Sequence, residues 1–227
     1  MNNSLISSTI IVIIIIYIYY IQFSYGNYEK LFLEDLLKAN TIKTGDIICF
    51  KAYNNFNSIF FGSYFGHLGI VYVGDDGVPK LFEANGVENM DLRPEHNKNG
   101  IFLSDLGPRI AKYKGRCFLK SLKYPVDSRK KAEFKKFIDF ALDNMKYDMN
   151  IFRNSFRKLL NLERCTTNTN CGEIVFLSLL KLKLLPMKLY DAPSCHYLRW
   201  MSNITELDNN EYLQHIELIN TPFREDI

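Results

Sequence analysis

The chain of 227 residues contains no CxxC pair, and its five cysteines are Cys49, Cys117, Cys165, Cys171 and Cys195. Zinc sites usually draw ligands in closer pairs, and disulfide frameworks need denser cysteine. The odd count leaves a free thiol or an intermolecular bridge. Charge of one sign is also missing: 28 Lys and Arg stand against 25 Asp and Glu, a formal net charge of +3. The small cluster Arg129-Lys130-Lys131 with Lys135-Lys136 is too sparse for a nucleic-acid stripe and suits the solvated face of a helix. No nucleic-acid partner is expected, and no metal or other cofactor. There is no internal repeat and no low-complexity linker. No Lys or Arg precedes the apolar N-terminal run, so the basic start of a secretory signal is absent.

That run, Leu5 to Phe23, is apolar apart from Ser7, Ser8, Thr9 and Gln22, and Ile10 to Ile21 carries no charge. About 20 such residues span a bilayer as a helix. Tyr17, Tyr19 and Tyr20 gather toward one end, as in an interfacial belt. A retained single-pass signal anchor is expected. The alternative is a secreted protein, cleaved near Ser24 and Gly26. Lys30, Lys38, Lys43 and Lys51 all follow the run, which favours a cytoplasmic domain.

The chain divides into 1–26, the apolar segment; 27–41, a linker helix; 42–205, the main domain; and 206–227, a C-terminal tail. Tyr28 to Ala39 has helical spacing, with Leu31, Phe32, Leu36 and Leu37 on one face. Strands are predicted at Ile47–Lys51, Leu68–Val73, Leu81–Ala84 and Cys117–Leu122, separated by turn residues such as Gly74-Asp75-Asp76-Gly77. Glu88 to Lys114 is polar, with two prolines, and is expected to be irregular. Helices are predicted from Asp127 or Ser128 to about Asn144, over Ile151–Leu160, over Gly172–Leu184 (ended by Pro186) and near Tyr197–Met201. Strands followed by helices give an α+β fold.

Three segments carry chemistry. His67 opens the apolar strand Gly66-His67-Leu68-Gly69-Ile70-Val71-Tyr72-Val73, where its ring can face a cleft. Imidazole transfers protons near neutrality. Alone, a histidine in a turn is more often structural. Cys171 opens an apolar helix in Asn170-Cys171-Gly172-Glu173-Ile174-Val175. Unpaired amides and the positive dipole end favour a thiolate there, and the same amides suit an oxyanion. The bland alternative is a buried apolar cysteine. Glu83 interrupts the strand Leu81-Phe82-Glu83-Ala84. If that strand pairs with the histidine strand, Glu83 can fix the imidazole tautomer; otherwise it faces solvent. Glu173 fits a helix-capping role instead. Cys49 and Cys117 fall in strands and His96 in a loop. Cys195 and His196 are neighbours in sequence, which rarely point at each other. Asn203-Ile204-Thr205 is a glycosylation sequon, relevant only to a lumenal domain.

Together these segments resemble the permuted branch of the NlpC/P60 superfamily of papain-like cysteine hydrolases, which includes YiiX-like, lecithin:retinol-acyltransferase-like and poxviral members. The matching pieces are Thr44-Gly45-Asp46-Ile47-Ile48, Gly66-His67-Leu68-Gly69-Ile70, Phe82-Glu83-Ala84, Tyr147-Asp148 and Asn170-Cys171-Gly172-Glu173-Ile174-Val175, over roughly Ile42 to Pro193. The histidine precedes the cysteine, as in the permuted layout. Gly172 departs from the serine often found after the cysteine. The resemblance implies a small antiparallel sheet or partial barrel packed on helices, with 42–205 as the catalytic domain. It implies Cys171 as nucleophile, His67 as base and Glu83 as the orienting residue. The function expected is a peptidase or amidase acting through an acyl-enzyme. Two alternatives are a lipid or thioester acyl hydrolase or acyltransferase, and an inactive membrane-tethered scaffold. The expected partners are a peptide, amide or acyl-lipid substrate and the membrane.

Overall fold

A computed structural model describes residues 9–16, 28–52, 65–85, 100–147, 168–184 and 212–219. The strands are β1 (Glu29–Phe32), β2 (Ile47–Ala52), β3 (His67–Val73), β4 (Pro79–Ala84), β5 (Ile101–Asp105), β6 (Gly115–Leu122), β7 (Lys146–Tyr147), β8 (Asn168–Thr169) and β9 (Tyr212–Ile219). The helices are α1 (residues 9–16), α2 (Leu33–Lys38), α3 (Leu106–Ala111), α4 (Ser128–Asn144) and α5 (Cys171–Lys181). Seven strands form one sheet in the order β1-β9-β6-β2-β3-β4-β5. Every pairing is antiparallel except β1 with β9, so the sheet is mixed. The α+β class holds, while the sheet is larger than the small antiparallel one expected.

Alternation along the strands sorts the core into two layers. Ile47, Cys49, Leu68, Ile70, Phe82 and Phe118 face α4 and α5 and meet Phe134, Ile138, Ala141, Ile174, Val175 and Leu179. Ile48, Phe50, Val71, Leu81, Cys117 and Leu119 face the other way, toward Leu33 of α2 and Leu106 and Ile110 of α3. A sheet covered on both faces needs apolar residues on both, which explains the unbroken run Leu68–Val73. Gly69 sits in that run because a Cβ there would lie 2.7 Å from Leu81 Cδ1.

The turn before β2 is tied by Asp46, which is fully buried. Its carboxylate accepts from the Lys43 amide at 2.8 Å, the Leu122 amide at 2.7 Å and the Ser121 hydroxyl at 3.2 Å. Burial pushes its pKa up to about 6 against these donors. Gly45, at φ +98°, makes the turn, and its amide donates to the Val71 carbonyl. One short segment thus fastens β2, β3 and β6.

Several expectations change. Tyr28–Ala39 is not one helix: residues 29–32 pair in parallel with β9, and only Leu33–Lys38 is helical. Pairing with a distant strand outweighs local helical spacing. Glu88–Lys114 is not irregular throughout, since β5 pairs with β4 and α3 follows it. The region set apart as a C-terminal tail supplies β9, an interior strand. Helix α4 matches its prediction, with Asp127 accepting from the Lys130 amide. Helix α5 stops at Lys181, before Leu184, because Lys183 takes a positive φ of 54°. The helices predicted at Ile151–Leu160 and Tyr197–Met201 lie outside the described residues.

In α1 the side chains Ile10 to Ile16 are between 49% and 61% exposed. Among the described residues no helix is long and apolar enough to cross a membrane. The rest of the apolar run lies outside them.

Asp46→Ala strands two backbone donors and a hydroxyl, at about 1–3 kcal/mol for each group left without a partner. Urea denaturation at pH 7 is expected to show a loss of about 3–5 kcal/mol with an unchanged slope.

Candidate active site

The register of β3 against β4 aligns Ile70 with Phe82 and Val71 with Leu81. Continued by one residue beyond Ile70 and Phe82, it sets Glu83 opposite Gly69, so that Glu83 is a diagonal neighbour of His67 on the same face. The His67 Nε2 to Glu83 Oε2 distance is 2.6 Å. Glu83 is buried, while 17% of the His67 side chain reaches solvent. The Phe50 ring lies 5.2 Å from the imidazole.

Cys171 arrives from the other layer. It is the first residue of α5, and the Asn170 side chain caps the helix by accepting from the Glu173 amide at 3.0 Å. That cap fixes where the helix begins, and so where the thiol points. Cys171 is a free, partly exposed thiol. The His67 side chain and the Leu68 and Gly172 amides lie close enough to its sulfur to draw its pKa down. Nε2 is engaged by Glu83, which leaves Nδ1 as the ring nitrogen for the thiol. All three residues predicted for the site therefore meet at the start of β3.

Behind them stands a residue that the sequence reading missed. Arg109 of α3 is fully buried, and its Nε and Nη2 grip Glu83 Oε1 and Oε2 at 2.5 and 3.0 Å. Its guanidinium lies 4.6 Å from the centre of the Phe50 ring and 5.7 Å from that of Tyr113. The only sequence signal was the apolar pair Leu106 and Ile110, four residues apart around it.

The charges follow from this packing. Burial alone would raise the Glu83 pKa, but the hydrogen bond and charge of His67, with those of Arg109, bring it down to about 2. Burial would lower the His67 pKa, but Cys171 and Glu83 raise it to about 9. Burial would raise the Cys171 pKa, but His67 and the two amides hold it below the usual thiol value. The arrangement favours a thiolate–imidazolium pair with an ionised carboxylate behind it.

No family model matches the chain, and no curated protein matches it in sequence. Its structure is similar to that of the metalloprotein YiiX from Escherichia coli O157:H7. The TM-score is 0.43 and the identity 15%, over 81% of this chain and 92% of that one.

The remaining described cysteines differ from Cys171. Cys49 and Cys117 are buried on opposite faces of the sheet, and burial pushes both thiols up to about 12. Among the described residues no group of three His, Cys, Asp or Glu side chains is arranged to hold a metal ion. Cys165, Cys195, His196, His96, Asn203 and Asp148 lie outside the described residues. Tyr147 of β7 packs against the α4/α5 layer. Gly100 permits this approach: a Cβ there would lie 2.5 Å from that of Tyr147 and 2.8 Å from the Asn85 carbonyl. Because β7 pairs with β8, which leads into Cys171, the glycine helps set the approach of the helix.

Iodoacetamide at pH 6 is expected to modify Cys171 at least about tenfold faster than Cys49 or Cys117, as thiolate content and access dictate. Peptide mass mapping of the folded chain after timed quenching reads this directly.

Proposed function

We propose that the protein is a cysteine hydrolase in which Cys171 is the nucleophile, His67 the general base and acid, and Glu83 the residue that orients the imidazole. The observation that carries this reading is the convergence of a depressed, accessible thiol and a partly exposed imidazole backed by an ionised carboxylate. The Cys171 sulfur attacks the carbonyl carbon of an amide, ester or thioester. The carbonyl electrons move to oxygen, and amides at the start of α5 would take up the charge there. The intermediate collapses, the bond to the leaving group breaks, and His67 donates its proton to that group. A water molecule then gives a proton to His67 as its oxygen attacks the thioester, which releases the acid and the thiol. Peptide or amide hydrolysis is the substrate class we favour. The exposed aliphatic side chains of α1 favour a second class, acyl lipids presented at a membrane.

We further propose that the apolar run Leu5–Phe23 tethers the chain to a membrane. Exposure of every aliphatic residue from Ile10 to Ile16 supports it. The full chain should stay with membranes through alkaline carbonate washing, and a chain starting at Asn27 should be released. Equal release of both would refute the tether.

Activity should show a plateau. It falls at acid pH as the thiolate takes up a proton, and again as pH rises through about 9 and the imidazolium loses its proton. With a panel of peptide amides, isopeptides, thioesters and acyl lipids, Cys171→Ala should abolish turnover. His67→Ala should lower kcat/KM by about 10²–10⁴-fold, the usual contribution of a positioned acid–base group. A folded protein that neither turns over any substrate nor reacts with a thiol-directed electrophilic probe would instead be a binding scaffold.

A further inference from the structure

Arg109 is placed unlike a residue that serves stability alone. A buried ion pair is weak support for a fold, since desolvation consumes much of the attraction. Here the guanidinium is buried, Nη1 has no partner among the described residues, and its fork closes on both oxygens of Glu83. The same Phe50 ring lies against both Arg109 and His67.

An ionised carboxylate only accepts hydrogen bonds, whereas a protonated one also donates. Facing an ionised Glu83, His67 must carry its proton on Nε2, which leaves Nδ1 to take the thiol proton. Without a counter-charge, a buried carboxylate takes up a proton instead. A protonated Glu83 can donate to Nε2. The neutral ring then bears its proton on Nδ1, toward Cys171, where an acceptor is needed.

Resting on the assignment of Cys171 and His67 as nucleophile and base, we infer that Arg109 is a positioning residue. It keeps Glu83 an acceptor-only carboxylate and thereby fixes the His67 tautomer that activates Cys171. Among the described residues, the other titratable groups beside Glu83 and Arg109 are Tyr113 and Cys117. Burial raises the pKa of each, so both stay neutral near pH 7 and neither replaces the arginine.

The test is the pH dependence of iodoacetamide alkylation at Cys171 from pH 4.5 to 9, in the full chain, with folding followed by circular dichroism. In Arg109→Met the rate at pH 6 should fall about tenfold, as a shift of about one pKa unit in the thiol requires. Glu83→Gln alone leaves a buried unpaired cation and should also lose reactivity. In the double variant Arg109→Met with Glu83→Gln, a neutral amide carbonyl accepts from Nε2–H and needs no counter-charge. Its rate should return to within about fivefold of the unaltered chain, well inside the range that loss of a base would span. This recovery decides the matter even if Arg109→Met fails to fold. A folded Arg109→Met with the unaltered profile overturns the inference. So does a double variant that folds without recovery or does not fold. An ordinary thiol profile in the unaltered chain is a separate outcome, seen without any variant, and removes the nucleophile–base reading itself.

Discussion

Glu83 carries a negative charge at a position only 1% exposed, and the site is organised around that fact. A carboxylate so buried would ordinarily take up a proton. It stays ionised because Arg109 holds it from one side and His67 from the other. Each partner comes from a different element, so the charge ties α3, β3 and β4 together. The imidazole gains its basicity from this contact, and the thiol gains its acidity from the imidazole. On the proposed reading, the chemistry of Cys171 therefore depends on a fully buried cation.

The sheet divides the work between its two layers. Cys171 belongs to the layer of α4 and α5, whereas Arg109 and Glu83 belong to the layer of α3. His67 stands at the beginning of β3, where the sheet ends and both layers can reach one ring. The contrast with Cys49 and Cys117 shows how completely surroundings decide reactivity. The three thiols are chemically the same, yet burial among apolar side chains raises two, and one imidazole with two amides lowers the third.

Much of this was legible in the sequence, and the gaps have physical reasons. His67, Glu83 and Cys171 were found because each interrupts or opens an apolar run in a recognisable order. The central strands and α4 were marked by turn residues and a capping aspartate, which are local signals. Arg109 was invisible because one arginine in a polar stretch looks solvated until a sheet and a helix bury it. β5 was hidden in the same stretch, since five residues show too little alternation to stand out. β1 was lost because Leu31 and Phe32 run into Leu36 and Leu37 at helical spacing, and the strand that claims it lies at the other end of the chain.

The parallel pairing of β1 with β9 joins the first and last strands of the sheet. β9 also lies between β1 and β6, so β1 cannot join the sheet, and one edge of β6 stays open, until residues 212–219 have been made. The half of the sheet bearing β2 to β5 can assemble earlier, including the strands of His67 and Glu83. β1 and the open edge of β6 must wait, since contacts so distant in sequence form late. The sheet is therefore completed only when β9 joins it, and a chain that lacks this strand exposes the edge of β6.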